Sequence, residues 1–173
     1  RRQRRVAEAE AALREVLRLA PDHGAARVEL GRVLFEQARY ADAAAAAAEA
    51  VARRPDFARA HLNLGLALER TGHHVEAEAA LREAIRLNPR DAVARANLAT
   101  VLRRQRRPTD AETVIRESDA PAARRDLGGV LFEQRRYAEA CAAYREAIRA
   151  SPDDTRAWPG LANLRAGHCD VFA

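Results

Sequence analysis

The chain has 173 residues, of which 48% are hydrophobic and 5% aromatic, and its net charge is +5 because 30 arginines outnumber 25 acidic side chains. This hydrophobic content is enough for a buried core and excludes a disordered tail. The lack of lysine excludes a phosphate-loop lysine and a Schiff base, and no apolar run approaches the ~20 residues that a membrane-spanning helix needs.

The predicted elements, in chain order, are helices arranged in pairs. A lone second helix is expected in residues 1–23, followed by full pairs at 24–57 and 58–91, a short pair at 92–120, a full pair at 121–154, a terminal helix at 155–166 and a tail at 167–173. Prolines such as Pro55 and Pro89 end second helices, because proline cannot continue a helix. The chain does not begin with methionine, so we expect the native protein to extend upstream.

A 34-residue repeat underlies these elements. Pairs of leucine followed by glycine or alanine begin at Leu30, Leu64, Leu98, Leu127 and Leu161, at intervals of 34, 34, 29 and 34. The small second residue of each pair lets a first helix approach its second helix closely. Other repeat positions place the five missing residues between Ser118 and Leu127. We therefore expect the last turn of that second helix to be absent, with a local change of twist.

The Leu-Gly pairs, the turn tyrosines Tyr40 and Tyr137, the alanines Ala77 and Ala84, and the closing prolines resemble the tetratricopeptide repeat family over nearly the whole chain. The resemblance implies an all-α fold: a right-handed α-solenoid of antiparallel helix pairs, with about ten helices in one domain of residues 1–173. It also implies a scaffold that binds a protein or peptide.

In that family the first helices of successive repeats line a concave, peptide-binding surface. Carried onto this chain, the candidate groove residues are Arg32, Phe35, Arg59, Asn63, Arg70, Asn97, Arg103, Arg104, Arg125 and Phe132. Converging guanidinium groups pair well with carboxylates, which favours an acidic or C-terminal peptide. The alternative is that these arginines form only a solvated face.

Two pairs of equivalent residues in this set have competing interpretations. Asn63 and Asn97 are one period apart, which resembles the asparagine ladder of O-linked N-acetylglucosamine transferases, but asparagine also serves as an inter-helix link. Phe35 and Phe132 lie in nearly identical segments and could anchor a peptide or fill the contact between hairpins. The alanines at positions 43–48 make a slim second helix that lacks the bulky residue found at other repeats, such as Leu81 or Tyr144.

We predict no catalytic, cofactor or metal site. Ser118 and Ser151 are helix-end residues outside any nucleophile motif, and His73 with its neighbour His74 lacks a third ligand at helical spacing. The two cysteines have no metal-ligand spacing and are too few for a disulfide framework.

The sequence thus predicts a non-enzymatic scaffold in the cytoplasm that binds a protein or peptide and has no small-molecule substrate. One alternative is the recognition module of a larger enzyme, such as a glycosyltransferase-like protein. Another is a self-assembling homo-oligomer joined through its exposed ends. Nucleic-acid binding is disfavoured, because acidic residues are mixed with the arginines and stacking aromatics are scarce.

Overall fold

A computed structural model describes residues 2–118 and 120–165 of the chain. These residues form ten α-helices and, within the two ranges, no β-strand. The expected all-α solenoid class of paired helices is therefore confirmed. The chain divides into two compact units, Arg1–Ala94 (unit 1) and Arg95–Ala173 (unit 2). The predicted tail at 167–173 lies outside the described residues.

Unit 1 consists of helix hairpins that pack side by side. Its helices are α1 (Arg2–Leu19), α2 (Gly24–Glu36), α3 (Tyr40–Arg53), α4 (Ala58–Arg70) and α5 (His74–Leu87). The second helix α3 packs against both α2 and α4, and α1 packs against α2. The core lies along these contacts, where Leu30, Leu34 and Ala46 are buried and α1 adds Leu13 and Leu17.

Unit 2 repeats the same packing with a shortened hairpin. Its helices are α6 (Ala92–Arg104), which begins just before the unit boundary, α7 (Pro108–Arg116), α8 (Pro121–Glu133), α9 (Tyr137–Ala150) and α10 (Ala157–Arg165). The first helix α8 packs on α7 and α9, and α10 packs on α9. Leu131, Tyr144, Leu161 and Leu164 lie in the buried cluster that joins the last three helices.

The shortened hairpin is visible in the length of its second helix. Helix α7 has 9 residues, whereas α3, α5 and α9 each have 14. Pro121 stands in the first turn of α8, where a missing backbone N–H breaks no helical hydrogen bond. The five-residue shortening of the repeat therefore falls at the end of α7, before this proline.

Four turns within the helix pairs use a left-handed residue to reverse the chain. Ala38, Arg106 and Arg135 have φ of 60°, 61° and 61°, and Gly72 has φ of 84°. The next residue then donates back to its first helix, as Arg39 N does to Leu34 O at 3.0 Å. This conformation costs a residue with a Cβ about 1 kcal/mol, whereas glycine adopts it freely.

The small residues of the repeat allow close helix contact, as the periodicity indicated. A Cβ built on Gly65 would lie 2.6 Å from Leu81 Cγ, and a Cβ on Gly128 would lie 2.8 Å from the Tyr144 ring. Real Cβ atoms do not approach other atoms so closely. These glycines therefore let the bulky side chain of α5 or α9 lie directly against the first helix.

A carboxylate on a second helix binds the following turn in each unit, and we call these contacts turn clamps. In unit 1, Glu10 of α1 accepts hydrogen bonds from Gln37 Nε2 at 2.7 Å and from Arg39 Nη1 at 2.8 Å. The counterpart in unit 2 consists of Glu112, Gln134 and Arg136, at 3.1 Å and 2.6 Å. The clamps join successive hairpins through groups that are far apart in sequence.

Two further observations concern the chain as a whole. None of the helices within residues 2–118 and 120–165 is both long and apolar enough to cross a bilayer. Cys141 is buried on α9. The other cysteine, Cys169, lies outside the described residues.

Candidate peptide-binding surfaces

A small recess on unit 1 is lined by α2 and α4, each of which is the first helix of a helix pair. Its volume is about 40 Å³ and its lining residues are Gly31, Arg32, Phe35, Asn63 and Leu66. Helices α2 and α4 contact each other directly, which brings these residues together. Three predicted groove residues, Arg32, Phe35 and Asn63, therefore share one recess, whereas Arg59 and Arg70 lie on α4 outside its lining.

Small residues surround the glycine of this recess. A Cβ built on Gly31 would lie 3.5 Å from Ala43 O and 3.7 Å from Ala47 N, which is ordinary contact. Ala47 occupies the repeat position that Leu81 holds in α5. Helix α3 therefore leaves space beside Gly31 of α2. In the next hairpin the Leu81 side chain fills the equivalent space beside Gly65.

Asn63 links the two helices that line the recess. Its Nδ2 donates to the backbone carbonyl of Val28 in α2 at 3.1 Å. No described residue donates to its Oδ1, so the acceptor half of the amide is not used within the described part of the chain. Asn97, one period later, is half-buried on α6 in unit 2.

A cation and two aromatic rings stack beside the recess. The rings of Phe35 and Tyr40 meet edge to face with centroids 5.1 Å apart. The Arg70 guanidinium lies 5.0 Å from the Phe35 centroid and 5.8 Å from that of Tyr40. Arg70 Nε also pairs with the buried carboxylate of Glu69 at 3.0 Å. Phe35 is thus held in place on one side of the recess by cation–π contact.

The other two candidate groove arginines of unit 1, Arg32 and Arg59, differ in their ion pairs. Arg32 pairs with Glu29 at 2.7 Å and also with Glu36, and the hydrogen bond to Glu29 raises the pKa of Arg32 above its usual range. Arg59 is exposed in the first turn of α4, and no acidic side chain among the described residues pairs with it. Arg59 is therefore the groove cation of unit 1 most open to a guest carboxylate.

In unit 2 two of the predicted arginines, Arg103 and Arg125, bind the chain's own carboxylates. Arg103 Nε donates to Glu133 Oε2 at 3.0 Å, which joins α6 to α8. Arg125 pairs with Asp126 at 2.6 Å and with Asp154 at 3.0 Å. The pKa of Asp154 falls to about 2, chiefly because Arg156 hydrogen-bonds to it. A guest carboxylate here would have to displace a carboxylate of the protein itself.

Two more predicted positions lie on the first helices of unit 2. Phe132 is 41% exposed on α8, and its ring centroid is 5.7 Å from that of Tyr137. Arg104 is exposed at the end of α6.

Tyr144 is a buried side chain that the sequence analysis did not name as a candidate site residue. Its ring lies between Gly128 of α8 and Gly160 of α10, and burial raises the pKa of its phenol. A tyrosine at a position held elsewhere by alanine, leucine or isoleucine, together with paired glycines at 128 and 129, was the available signal.

The histidines have local structural contacts. His23 Nδ1 accepts a hydrogen bond from Ala26 N at 3.1 Å and caps α2. His61 is buried, and its Nε2 lies 2.8 Å from Pro55 O. Among the described residues, no group of three or more histidine, cysteine or acidic side chains is placed to hold a metal ion.

The sequence has recognisable relatives at the level of the family. The model of the tetratricopeptide repeat matches residues 1–51, 29–92, 72–118 and 96–155. None of the curated proteins compared with the chain has significant sequence similarity to it.

Solved structures with the same fold cover most of the chain. TTC0263 of Thermus thermophilus, a thermophilic TPR protein, is 22% identical over 94% of this chain and 91% of that chain, with a TM-score of 0.75. MamA is 20% identical over 85% and 89%, with a TM-score of 0.77. YrrB, a TPR protein with an unusual peptide-binding site, is 18% identical over 90% and 82%, with a TM-score of 0.71. At these identities the likeness shows the fold alone.

Proposed function

Because the chain belongs to the tetratricopeptide repeat family, we propose that it is a non-catalytic scaffold that binds an extended peptide of a protein partner along its first helices. The observation that carries this proposal is the recess between α2 and α4. It is lined by Arg32, Phe35 and Asn63, three of the groove residues that the family resemblance implies.

The recess combines apolar walls with a few polar groups, as peptide-binding sites do. Phe35 and Leu66 provide apolar surface, while Asn63 Oδ1 can accept a hydrogen bond from a guest backbone N–H. The volume of about 40 Å³ is enough for the tip of one small apolar side chain. YrrB, whose fold is similar, has an unusual peptide-binding site, which supports peptide binding by a chain of this fold.

The proposed preference for an acidic guest rests mainly on Arg59. Arg32, Arg103 and Arg125 already pair with acidic residues of the chain, so exchanging partners gains little net energy. Arg59 is exposed and pairs with no acidic side chain in the described part of the chain. An acidic guest side chain therefore gains most near the first turn of α4.

Self-association is a second candidate function, favoured by exposed apolar side chains on the two terminal helices. Val16 and Leu19 of α1 are 38% and 69% exposed, and Trp158 of α10 is 46% exposed. In α3 the residue equivalent to Val16 is Ala50, which is fully buried. Concentration-dependent sedimentation tests this candidate, since a chain that stays monomeric at high concentration does not associate through these faces.

The binding proposal is tested with random dodecapeptides displayed on phage and selected on the wild-type chain. We expect selected peptides to bind Leu66→Trp roughly tenfold or more weakly, because the indole covers the recess. Val75→Trp is the matched control, since Val75 is 75% exposed on α5. Arg59→Glu should weaken acidic peptides selectively, whereas Arg90→Glu, in the exposed loop after α5, should not.

Two results would overturn the proposal. One is that no peptide is enriched on the wild-type chain over repeated rounds. The other is that the enriched peptides bind both tryptophan variants with wild-type affinity.

A further inference from the structure

The Tyr144 side chain crosses from α9 into a gap between α8 and α10 that only glycines leave open. A Cβ on Gly128 would lie 2.8 Å from the ring, and a Cβ on Gly160 would lie 2.6 Å from the ring atom Cε1. A Cβ on Gly129 would lie 3.7 Å from the hydroxyl oxygen. The base of the ring is therefore next to Gly128, and its hydroxyl lies near Gly129 and Gly160.

The hydroxyl at the end of this buried ring has no partner within the described part of the chain. Tyr144 is 8% exposed, and no described residue forms a hydrogen bond with its Oη. Burial raises the pKa of the phenol, so the group is protonated at neutral pH and can donate. A guest acceptor at Oη could therefore take a hydrogen bond that no described residue of the chain accepts.

The repeat register shows which surface the hydroxyl reaches. Gly129 and Phe132 occupy the repeat positions of Arg32 and Phe35, which line the recess of unit 1. Tyr144 stands at the position of Ala47, so the phenol enters the part of unit 2 that corresponds to the recess. The Oη of Tyr144 therefore belongs to the candidate binding surface of unit 2, although its ring belongs to the core.

The charges around this hydroxyl are already balanced. Arg103 pairs with Glu133, and Arg125 pairs with Asp126 and Asp154. These two cations each face carboxylates, so neither is left to attract a charged guest group. Gly129 also presents backbone without a side chain there, which lets another main chain approach closely.

We propose that Tyr144 Oη donates a hydrogen bond to a backbone carbonyl of an extended guest segment that carries small, uncharged residues where it crosses Gly129. The inference rests on the proposed function and makes Tyr144 a specificity-determining residue of unit 2. Large guest side chains are excluded at that point, because the carbonyl must come within hydrogen-bond distance of an oxygen recessed beside Gly160.

Two substitutions separate this role from the part Tyr144 plays in the core. Tyr144→Phe keeps the ring and removes only the hydroxyl. Gly129→Ala adds a methyl group 3.7 Å from Oη, which fits without strain and raises helix propensity, so the thermal midpoint should stay equal or rise. Thr113→Val is the control, because it removes a hydroxyl from an exposed side chain on the second helix α7, away from the candidate surfaces.

The probe is the set of synthetic peptides enriched from the dodecapeptide phage library by the wild-type chain. We expect Tyr144→Phe and Gly129→Ala each to weaken binding about five- to tenfold, with Thr113→Val unchanged. Peptides enriched on the wild type should carry glycine, alanine or serine at a shared position, and that preference should disappear in a selection on Tyr144→Phe.

Each outcome of this experiment is decisive. Wild-type affinity of both variants for the enriched peptides overturns the role of Tyr144 and leaves the proposed function intact. Failure to enrich any peptide on the wild type overturns the proposed function and this inference with it. A shared charged or bulky residue at the position sensitive to Gly129→Ala contradicts the stated chemistry of the guest.

Discussion

The segments 34–40 in unit 1 and 131–137 in unit 2 are identical at six of seven positions, yet their aromatic side chains have different surroundings. Phe35 is half-buried and lies under the Arg70 guanidinium, whereas Phe132 is 41% exposed. The glutamate after each phenylalanine also differs, since Glu36 pairs within α2 and Glu133 pairs with Arg103 of α6. Neighbouring hairpins, and not the local sequence, decide how such a segment is used.

The second helices behind these segments differ in the same way. Unit 1 has Ala47 where unit 2 has Tyr144, and the glycine opposite each is Gly31 or Gly128. The alanine is accompanied by an open recess, while the tyrosine places a hydroxyl in the corresponding region. One repeat framework can therefore provide an apolar pocket in one unit and a hydrogen-bond donor in the other.

The largest expected effect comes from adding a methyl group at the two glycines. Gly128→Ala should lower the free energy of unfolding by about 2 kcal/mol, because the new Cβ clashes with the Tyr144 ring. Gly31→Ala should be neutral or stabilise by up to about 1 kcal/mol, since its Cβ meets atoms only at 3.5 Å or more. Urea unfolding measures both, and equal effects at the two sites would contradict the comparison.

Truncating each phenylalanine to alanine should lower the free energy of unfolding by different amounts. We expect Phe35→Ala to cost about 2 kcal/mol of unfolding free energy and Phe132→Ala about 1 kcal/mol, because Phe35 loses more buried area and the contact with Arg70. Combining Phe35→Ala with Arg70→Gln in a double-mutant cycle isolates the cation–π part. If Phe132→Ala costs as much as Phe35→Ala, the two environments do not differ energetically.

The turn clamps should make part of the folding stability sensitive to acid. A hydrogen bond from Gln37 lowers the pKa of Glu10. Burial acts to raise the pKa of Glu112, but hydrogen bonds from Arg116 and Gln134 outweigh it and lower that pKa. A lowered carboxyl pKa stabilises the fold above the unfolded pKa near 4.5, and this stability is lost as the pH falls through the folded pKa.

Removing both carboxylates should therefore make the free energy of unfolding depend less on pH under acidic conditions. Glu10→Gln with Glu112→Gln should cost about 1 kcal/mol per clamp at pH 7 and progressively less as the pH falls below about 4.5. Chemical unfolding at a series of pH values measures this. Glu117→Gln, an exposed change at the end of α7, is the control. A cost that stays constant down to about pH 3 would exclude the clamps as its source.

The smallest effect is expected at the one position where the two segments differ. Ala38 and Arg135 both have positive φ, so Ala38→Gly and Arg135→Gly should each stabilise by about 0.5 to 1 kcal/mol. The native Gly72 shows that glycine fits this turn. Thermal unfolding should give similar gains for the two variants, and a loss at either site would mean that its side chain makes a stabilising contact.

Much of the architecture was predictable because it depends on local periodicity. Leucine, glycine and alanine recurring every 34 residues determine which helix faces are apolar and where helices approach closely, and α7 is short where the spacing falls to 29. Three of the predicted groove residues, Arg32, Phe35 and Asn63, line one recess, and their role in binding stays a prediction. The position of each of these residues within the 34-residue repeat can be read from the sequence.

The tertiary structure alone decided what each of these side chains contacts. The sequence could not show that Arg103 pairs with Glu133 of the next hairpin, that Asn63 binds the Val28 carbonyl, or that the Tyr144 hydroxyl has no partner among the described residues. Such contacts join residues far apart in the chain, and their geometry depends on how closely two helices pack. Periodicity specifies the faces of helices, whereas the free hydrogen-bonding groups and unpaired charges emerge only when those faces are in contact.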